Sequence, residues 1–240
     1  LQKWLIGRFM AHCAAMTAVS EVLARGMRAH GLRAPIWRII GNPVDPDVFY
    51  PRSAKKSDRA ATILHISFQT ENKNVAGIVR AMAALTRRRP AVRLLVIGNG
   101  PARPGSEELA RDLGLLDQVV FFRDPLREEE VAATMRQADI LVLFSGLETF
   151  ACVAAEALAS GLAVVSTPTA AAEYLPAGSA MLVPFGDEEA LAEALGKMVD
   201  RLPSFDAAPG RRAVSGRFAP REIGKRFYDL FREVLDEDGP

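Results

Sequence analysis

Cysteine and histidine are scarce in this 240-residue chain, two of the first and three of the second, and that scarcity removes two kinds of chemistry. Cys13 and Cys152 sit in apolar company without a CxxC spacing, which predicts buried thiols in a reducing compartment and no disulfide. His12, His30 and His65 never fall at ligand spacing with one another or with an acid, so no metal site is expected and the chemistry is predicted to be metal-independent. An excess of charge is lacking as well. Thirty basic residues against 29 acidic ones give a net charge of +1, which argues against a dedicated nucleic-acid binder while leaving acidic substrates open. No apolar run reaches the roughly 18 residues of a membrane span, and the start has no signal-peptide profile. A cytoplasmic location is therefore expected. There is no internal repeat and no low-complexity segment. Nor is there an initiating methionine: Leu1-Gln2-Lys3-Trp4 reads as the middle of a helix, which predicts a piece of a longer chain.

What is present suits one soluble core, or one core plus an appendage, since 49% of the residues are apolar and 25% charged. The first stretch predicts an amphipathic helix near Gln2–His12 and a short strand at Met16–Val19. Ser20 then serves as N-cap of a helix running to His30-Gly31. Lys3, Arg8, Arg25, Arg28, Arg33 and Arg38 face only Glu21, a bias that fits a membrane-facing or partner-facing patch or, more simply, a solvated face. Trp37–Ile40 reads as a strand. Gly41-Asn42-Pro43-Val44-Asp45-Pro46-Asp47 is dense in turn formers and opens a linker that runs to about Arg59.

From Ala60 the pattern becomes a regular alternation. Apolar strands are expected at Thr62–Ser67, Val92–Gly98, Val119–Phe122, Ile140–Phe144, Ala163–Ser166 and Ala180–Val183. Between them lie helices at Val75–Arg88, Ser106–Leu113, Arg127–Gln137, Ala151–Ser160, a short one near Ala171–Tyr174, and Glu188–Asp200. Unbroken apolar strands joined by helices call for a parallel sheet covered on both faces, a doubly wound α/β domain. After Pro203 come a polar loop and a charged amphipathic helix, Pro220–Leu235, with Ile223, Phe227, Leu230, Phe231 and Val234 on its apolar face.

In such a sheet, ligands bind beyond the carboxyl ends of the strands where strand order reverses, between the first and fourth strands. Ser67-Phe68-Gln69-Thr70-Glu71-Asn72-Lys73 follows the first strand and leads into a helix. It sets an ammonium beside the positive end of a helix dipole, and an anion between them would reconcile the two; a solvated loop lysine is the other reading. The fourth strand ends in Phe144-Ser145-Gly146-Leu147-Glu148-Thr149-Phe150-Ala151-Cys152. The backbone N–H groups near Thr149–Cys152 open a helix and can hold a phosphate without any side chain. Glu156 lies within the otherwise small and apolar helix that follows. A buried carboxylate there needs partners, which ribose hydroxyls could supply, unless the position is simply exposed. Glu148 is either a ligand contact or a loop acid in water.

Glu148 and Glu156 form an E-x7-E pattern that resembles the retaining glycosyltransferases of family 4. The resemblance extends in the family's order through Ala18-Val19-Ser20, Gly41-Asn42-Pro43-Val44-Asp45 with Phe49 and Pro51, Lys73-Asn74, Gly98-Asn99-Gly100-Pro101, Ala138-Asp139, and Glu156-Ala157-Leu158-Ala159-Ser160-Gly161 followed by Val164-Val165-Ser166-Thr167. E-x7-E alone is a weak signal; the ordered set spans nearly the whole chain. The resemblance implies a GT-B fold of which this chain holds the C-terminal, Rossmann-like donor domain (60–204). It adds a remnant of the N-terminal acceptor-side domain (1–41), the linker (42–59) and a C-terminal helical segment (205–240) that crosses back to the first domain.

It also implies the activity: retaining transfer of a hexose from a nucleotide diphosphate-sugar, with no cofactor beyond that donor. By the same resemblance Lys73 contacts the donor diphosphate, Glu148 the sugar hydroxyls and Glu156 the ribose, while the amides of Thr149, Phe150 and Ala151 touch phosphate. Gly98 is a lesser donor-site candidate, since a tight turn explains it equally well. Expected partners are the nucleotide-sugar, an unspecified acceptor such as a glycan or lipid-linked sugar, and the absent N-terminal domain, with peripheral contact at the inner membrane and no nucleic acid. The chain departs from the family in three places. Phe68, Gln69 and Thr70 stand where many members place an arginine clamp, Thr149 replaces a glycine, and Arg123 replaces another; Arg123 could supply the missing cation or meet the base. A non-catalytic nucleotide-binding module of the same fold and a nucleotide-sugar epimerase remain as alternatives.

Overall fold

A computed structural model describes residues 8, 10, 12–52 and 60–237. The helix expected over Gln2–His12 lies almost wholly outside the described residues, as does the end of the linker at 53–59. The leading segment forms two parallel strands, β1 (Ala15–Ala18) and β2 (Ile36–Ile39), joined by α1 (Glu21–Ala29). Ser20 caps α1 as its sequence suggests, its Oγ accepting from the Leu23 N–H at 3.1 Å. The basic residues of this segment are less isolated than the sequence implies. Arg28 pairs with Glu21 and lies over the Trp37 ring, and Arg38 pairs with Glu233 near the far end of the chain.

The main sheet has six parallel strands: β3 (Ala61–Ile66), β4 (Val92–Ile97), β5 (Val120–Arg123), β6 (Ile140–Leu143), β7 (Ala163–Ser166) and β8 (Ala180–Leu182). Their spatial order is β5-β4-β3-β6-β7-β8, so the direction of winding reverses between β3 and β6. That reversal leaves a crevice at the carboxyl ends of these two strands.

Helices α2 (Val75–Thr86), α3 (Arg103–Asp112) and α6 (Glu188–Arg201) cover one face over Ile63, Leu94, Val96, Ile140 and Val142. On the other face α4 (Glu128–Gln137), α5 (Cys152–Ala159), α7 (Ala208–Ser215) and α8 (Pro220–Glu237) lie over Leu64, Ile97, Leu141 and Leu143. The near-continuous apolar strands follow from this double covering. The linker is packed at its start: Val44 and Phe49 are buried, and the Val44 N–H donates to the Phe218 carbonyl at 2.8 Å.

Two helices differ from the sequence reading for one reason. α3 begins three residues before the expected Ser106, and α7 occupies part of what reads as a polar loop after Pro203. Each carries a proline in its first turn, where the missing N–H costs nothing, so Pro104 and Pro209 are compatible with these helix starts. Gly210 lets α7 lie close on α5: a Cβ there would come within 2.8 Å of Leu158. In α8, Ile223 and Leu230 are buried with Phe227 and Val234 beside them, as the stripe predicts. Phe231 instead faces outward with Tyr228 and Leu235, leaving three large apolar side chains in water.

Candidate active site

The loops after β3 and β6 are tied together at the crevice. The Gly146 N–H donates to the Asn72 carbonyl at 3.0 Å, and the Asn72 side chain returns a bond to the Leu147 carbonyl at 2.9 Å. Next to this latch, Lys73 Nζ lies 2.6 Å from Glu148 Oε1, with side chains only 22% and 12% exposed. Lys73 ends a 3-10 turn (Glu71–Lys73), and Asn74, held in the left-handed region at φ 47°, caps α2 by accepting from the Gly77 N–H. The cation expected beside a helix N-terminus is therefore there, and in the free protein its counter-anion is Glu148. Glu148 is no loop acid in bulk water.

Beneath the pair sits His65, fully buried. Its Nδ1 faces the Val142 carbonyl at 3.0 Å and its Nε2 faces Ser67 Oγ at 2.7 Å. Burial holds the imidazole neutral, pushing its pKa down to about 4, and the Lys73 charge adds to that push while Glu148 opposes it. The sequence reading missed this histidine's place, because it sought His only as a metal ligand.

The helix after β6 starts at a strained residue: Ala151, the N-cap of α5, has φ 65°. The conformation is over-determined from behind. The Tyr174 hydroxyl donates toward the carbonyls of Phe150 and Ala151, at 2.9 and 2.7 Å, and the Phe150 ring packs on Tyr174 and Phe218. Burial raises the phenol's pKa, so it stays a donor across the physiological range. With the carbonyls held back, the N–H groups of Thr149, Phe150, Ala151 and Val153 have no acceptor among the described residues. Phe150 and Ala151 are themselves buried, so they offer backbone rather than side chain. Tyr174 was not anticipated as part of the site; it lies 23 residues from Ala151 and nothing in the local pattern marks it.

Glu156 projects from the second turn of α5. Its carboxylate is half-buried and makes no hydrogen bond or ion pair among the described residues. Desolvation raises its pKa to about 7, and the neighbouring Glu128 adds to the rise. Cys152, one turn earlier, accepts from the Asn42 amide at 3.1 Å, and its thiol is pushed up chiefly by burial; both cysteines are free.

Gly98 and the residues that depart from the family pattern have structural surroundings of their own. Gly98 has φ 122°, and a Cβ would fall 1.9 Å from the Ser67 carbonyl oxygen, so its glycine is demanded by the close approach of two loops. Gln69, in the region of the absent arginine, is fully buried and donates to the Gly98 carbonyl at 2.9 Å, while Phe68 points into water. Neither replaces a phosphate clamp. Arg123 ends the edge strand β5 and lines a shallow cavity on the sheet face with Thr62, Arg93, Leu95 and Phe121; it makes no contact with Lys73 or Glu148. Among the described residues no group of three His, Cys, Asp or Glu is arranged to hold a metal ion, and no helix is long and apolar enough to cross a membrane.

A lysine, unengaged helix amides and two glutamates thus gather around the switch point of a doubly wound parallel α/β domain. The sequence profile of the glycosyl transferases group 1 matches residues 60–201, and the chain belongs to that family. It is 32% identical over 219 residues to a D-inositol 3-phosphate glycosyltransferase of Corynebacterium jeikeium, covering 82% of this chain and 50% of the relative. It is 25% identical over 236 residues to the N-acetyl-alpha-D-glucosaminyl L-malate synthase of Bacillus anthracis, covering 93% and 60%. The chain thus spans about half the length of the curated relatives it matches. Among solved structures, sucrose-phosphate synthase of Thermosynechococcus elongatus superposes with a TM-score of 0.86 at 22% identity, over 98% of this chain and 62% of that one. Anabaena HepE in complex with UDP and glucose gives 0.84 at 18%, over 96% and 66%. These likenesses establish the GT-B type of Rossmann-like fold.

Proposed function

We propose that the chain holds the donor site of a retaining glycosyltransferase, gripping a nucleotide diphosphate-sugar in the crevice between β3 and β6. The observation that carries this reading is convergence: a lysine, a row of unengaged helix amides and a half-buried carboxylate without partners meet at the sheet's topological switch point. Relatives named as glycosyltransferases and a structural neighbour solved with UDP and glucose support the same ligand class.

In this reading the diphosphate lies against Lys73 and the amides of Thr149, Phe150 and Ala151, and Glu156 accepts from the ribose hydroxyls. Glu148, already holding Lys73, accepts from the sugar. Transfer breaks the bond from the anomeric carbon to the diphosphate oxygen, which leaves with the electron pair. The acceptor oxygen bonds to that carbon on the same face, and its proton passes to the departing diphosphate. Charge builds on the leaving oxygen, and fixed donors aimed there lower the barrier by about 3–4 kcal/mol each in comparable sites. Glu148 orients the sugar and is not the nucleophile.

The acceptor pocket belongs to the first half of such enzymes, so the chain alone is expected to bind nucleotide weakly and transfer little sugar. Robust transfer to a defined acceptor by this chain would overturn that expectation. Calorimetry with UDP and GDP on the unsubstituted chain and on Glu156→Ala tests the site. Binding that is lost in the variant supports it, no binding by either protein favours a non-catalytic module, and conversion of the donor sugar without acceptor indicates an epimerase.

A further inference from the structure

The proton positions around His65 are fixed by chemistry. A carbonyl oxygen can only accept, so the Nδ1 facing Val142 at 3.0 Å must carry the ring's hydrogen. The ring is fully buried and neutral, so Nε2 is left as a bare lone pair, and the Ser67 hydroxyl 2.7 Å away must donate to it. Ser67 has thereby committed its only proton. The hydroxyl is the first side chain past β3, half-buried rather than sealed, at the carboxyl end of the strand where Lys73 and Glu148 stand. The charges of both residues reach the His65 ring to which it is bound.

An oxygen in that state presents lone pairs alone. A diphosphate at neutral pH also presents lone pairs alone, so the two repel. A sugar hydroxyl, which can donate, is the complementary group. Building on the donor-site reading above, we infer that Ser67 is a sugar-reading residue: it accepts a hydrogen bond from a hydroxyl of the transferred sugar and makes no favourable contact with the nucleotide diphosphate. The His65–Val142 arrangement sets this polarity, since an unrestrained serine could turn its proton toward phosphate and lose the discrimination. With Glu148, whose charge also reaches His65, as a second acceptor, the sugar end of the site is built to recognise donors, and the phosphate end to recognise acceptors.

The test compares UDP, UDP-glucose and UDP-N-acetylglucosamine by calorimetry on the unsubstituted chain, Ser67→Ala, Ser67→Gly and Ser67→Thr, with circular dichroism to show that each variant folds. The expected result is a roughly three- to ten-fold loss of affinity for at least one nucleotide-sugar in both Ala and Gly variants, the size of one neutral hydrogen bond. UDP affinity stays unchanged, and Thr, which keeps the hydroxyl, restores the loss. Equal losses for UDP and the nucleotide-sugars would overturn the inference, because they would mean that Ser67 serves the diphosphate or merely supports the loop. Unchanged affinities throughout would overturn it as well. Failure of the unsubstituted chain to bind either UDP or GDP would instead bring down the donor-site reading itself, a result distinguishable from either of these; should GDP alone bind, the same comparison is run with GDP, GDP-glucose and GDP-mannose.

Discussion

Glu156→Gln separates the cost of the site from its use. In the free protein the carboxylate is desolvated, unpartnered and close to Glu128, so its pKa rises from 4.5 to about 7. A folded-state value above the unfolded one means that the folded chain binds the proton more tightly. Stability therefore falls as pH rises through 4.5 to 7, and the penalty is complete only above the folded value. The rise is equivalent to about 3 kcal/mol. Replacing the carboxylate by the isosteric amide removes that penalty. At pH 8 the variant is expected to be more stable by up to about 3 kcal/mol, or roughly 6–12 °C in Tm for a domain of this size, whereas at pH 5 the two proteins should differ by less than about 1 kcal/mol. Ribose hydroxyls donating to Glu156 favour its ionised form, so UDP binding to the unsubstituted chain should release a proton near pH 6 and tighten toward pH 8. Calorimetry in two buffers of different ionisation enthalpy reads that proton. Parallel stability curves for the two proteins from pH 5 to 8, or a variant that binds UDP as well as the parent, would refute the reasoning.

Lys73→Met strands the Glu148 carboxylate and removes the diphosphate's counter-charge. It should cost about 1–3 kcal/mol of stability in denaturant titrations and weaken UDP binding roughly ten- to hundred-fold, while Lys73→Arg recovers part of both. Tyr174→Phe keeps the ring packing but frees the carbonyls of Phe150 and Ala151; a loss of about 1 kcal/mol in Tm analysis and a few-fold weaker UDP binding are expected. Gly98→Ala forces a Cβ against the Ser67 carbonyl oxygen at φ 122°, so a loss of about 3 kcal/mol or more is expected by thermal melting. A normal melt with UDP affinity alone reduced would instead mark Gly98 as a ligand contact.

The sheet was legible because six buried parallel strands write themselves as apolar runs, and every expected strand falls within a residue or two of its place. α3 and α7 were less so, since proline and glycine signal a break and a helix start with the same letters. Lys73, Glu148 and Glu156 stand out in the sequence as charged residues at element ends and on an apolar helix, and the fold brings the first two into an ion pair. What escaped is whatever depends on distance in space. Tyr174 behind Ala151 is one case, and Asn72 latching the β6 loop is another. The clearest is Glu173, whose carboxylate accepts from the N–H groups of Glu21 and Val22 at 3.0 and 2.8 Å across 152 and 151 residues. No local periodicity encodes a helix cap supplied by the other end of the chain.

Those long-range contacts explain why the crevice can be both polar and fixed. The open amides of α5 can only face a ligand if the carbonyls of the same turn are satisfied elsewhere, and Tyr174 does that from the core side. The Lys73 charge is held in the free protein by Glu148 at 2.6 Å. Glu156 is left without a hydrogen bond or ion pair among the described residues, at a cost the fold tolerates. Each group is arranged before any ligand arrives, so binding energy need not be spent on ordering them. The Glu173 cap binds the leading strand and helix to the donor sheet through backbone N–H groups rather than an exposed ion pair. The orientation of that segment is therefore set from the donor side, by the 3-10 turn whose next residue is Tyr174. A shift of that turn would reach the cap and the α5 amides together, which ties the geometry of the leading segment to the geometry of the α5 N-terminus.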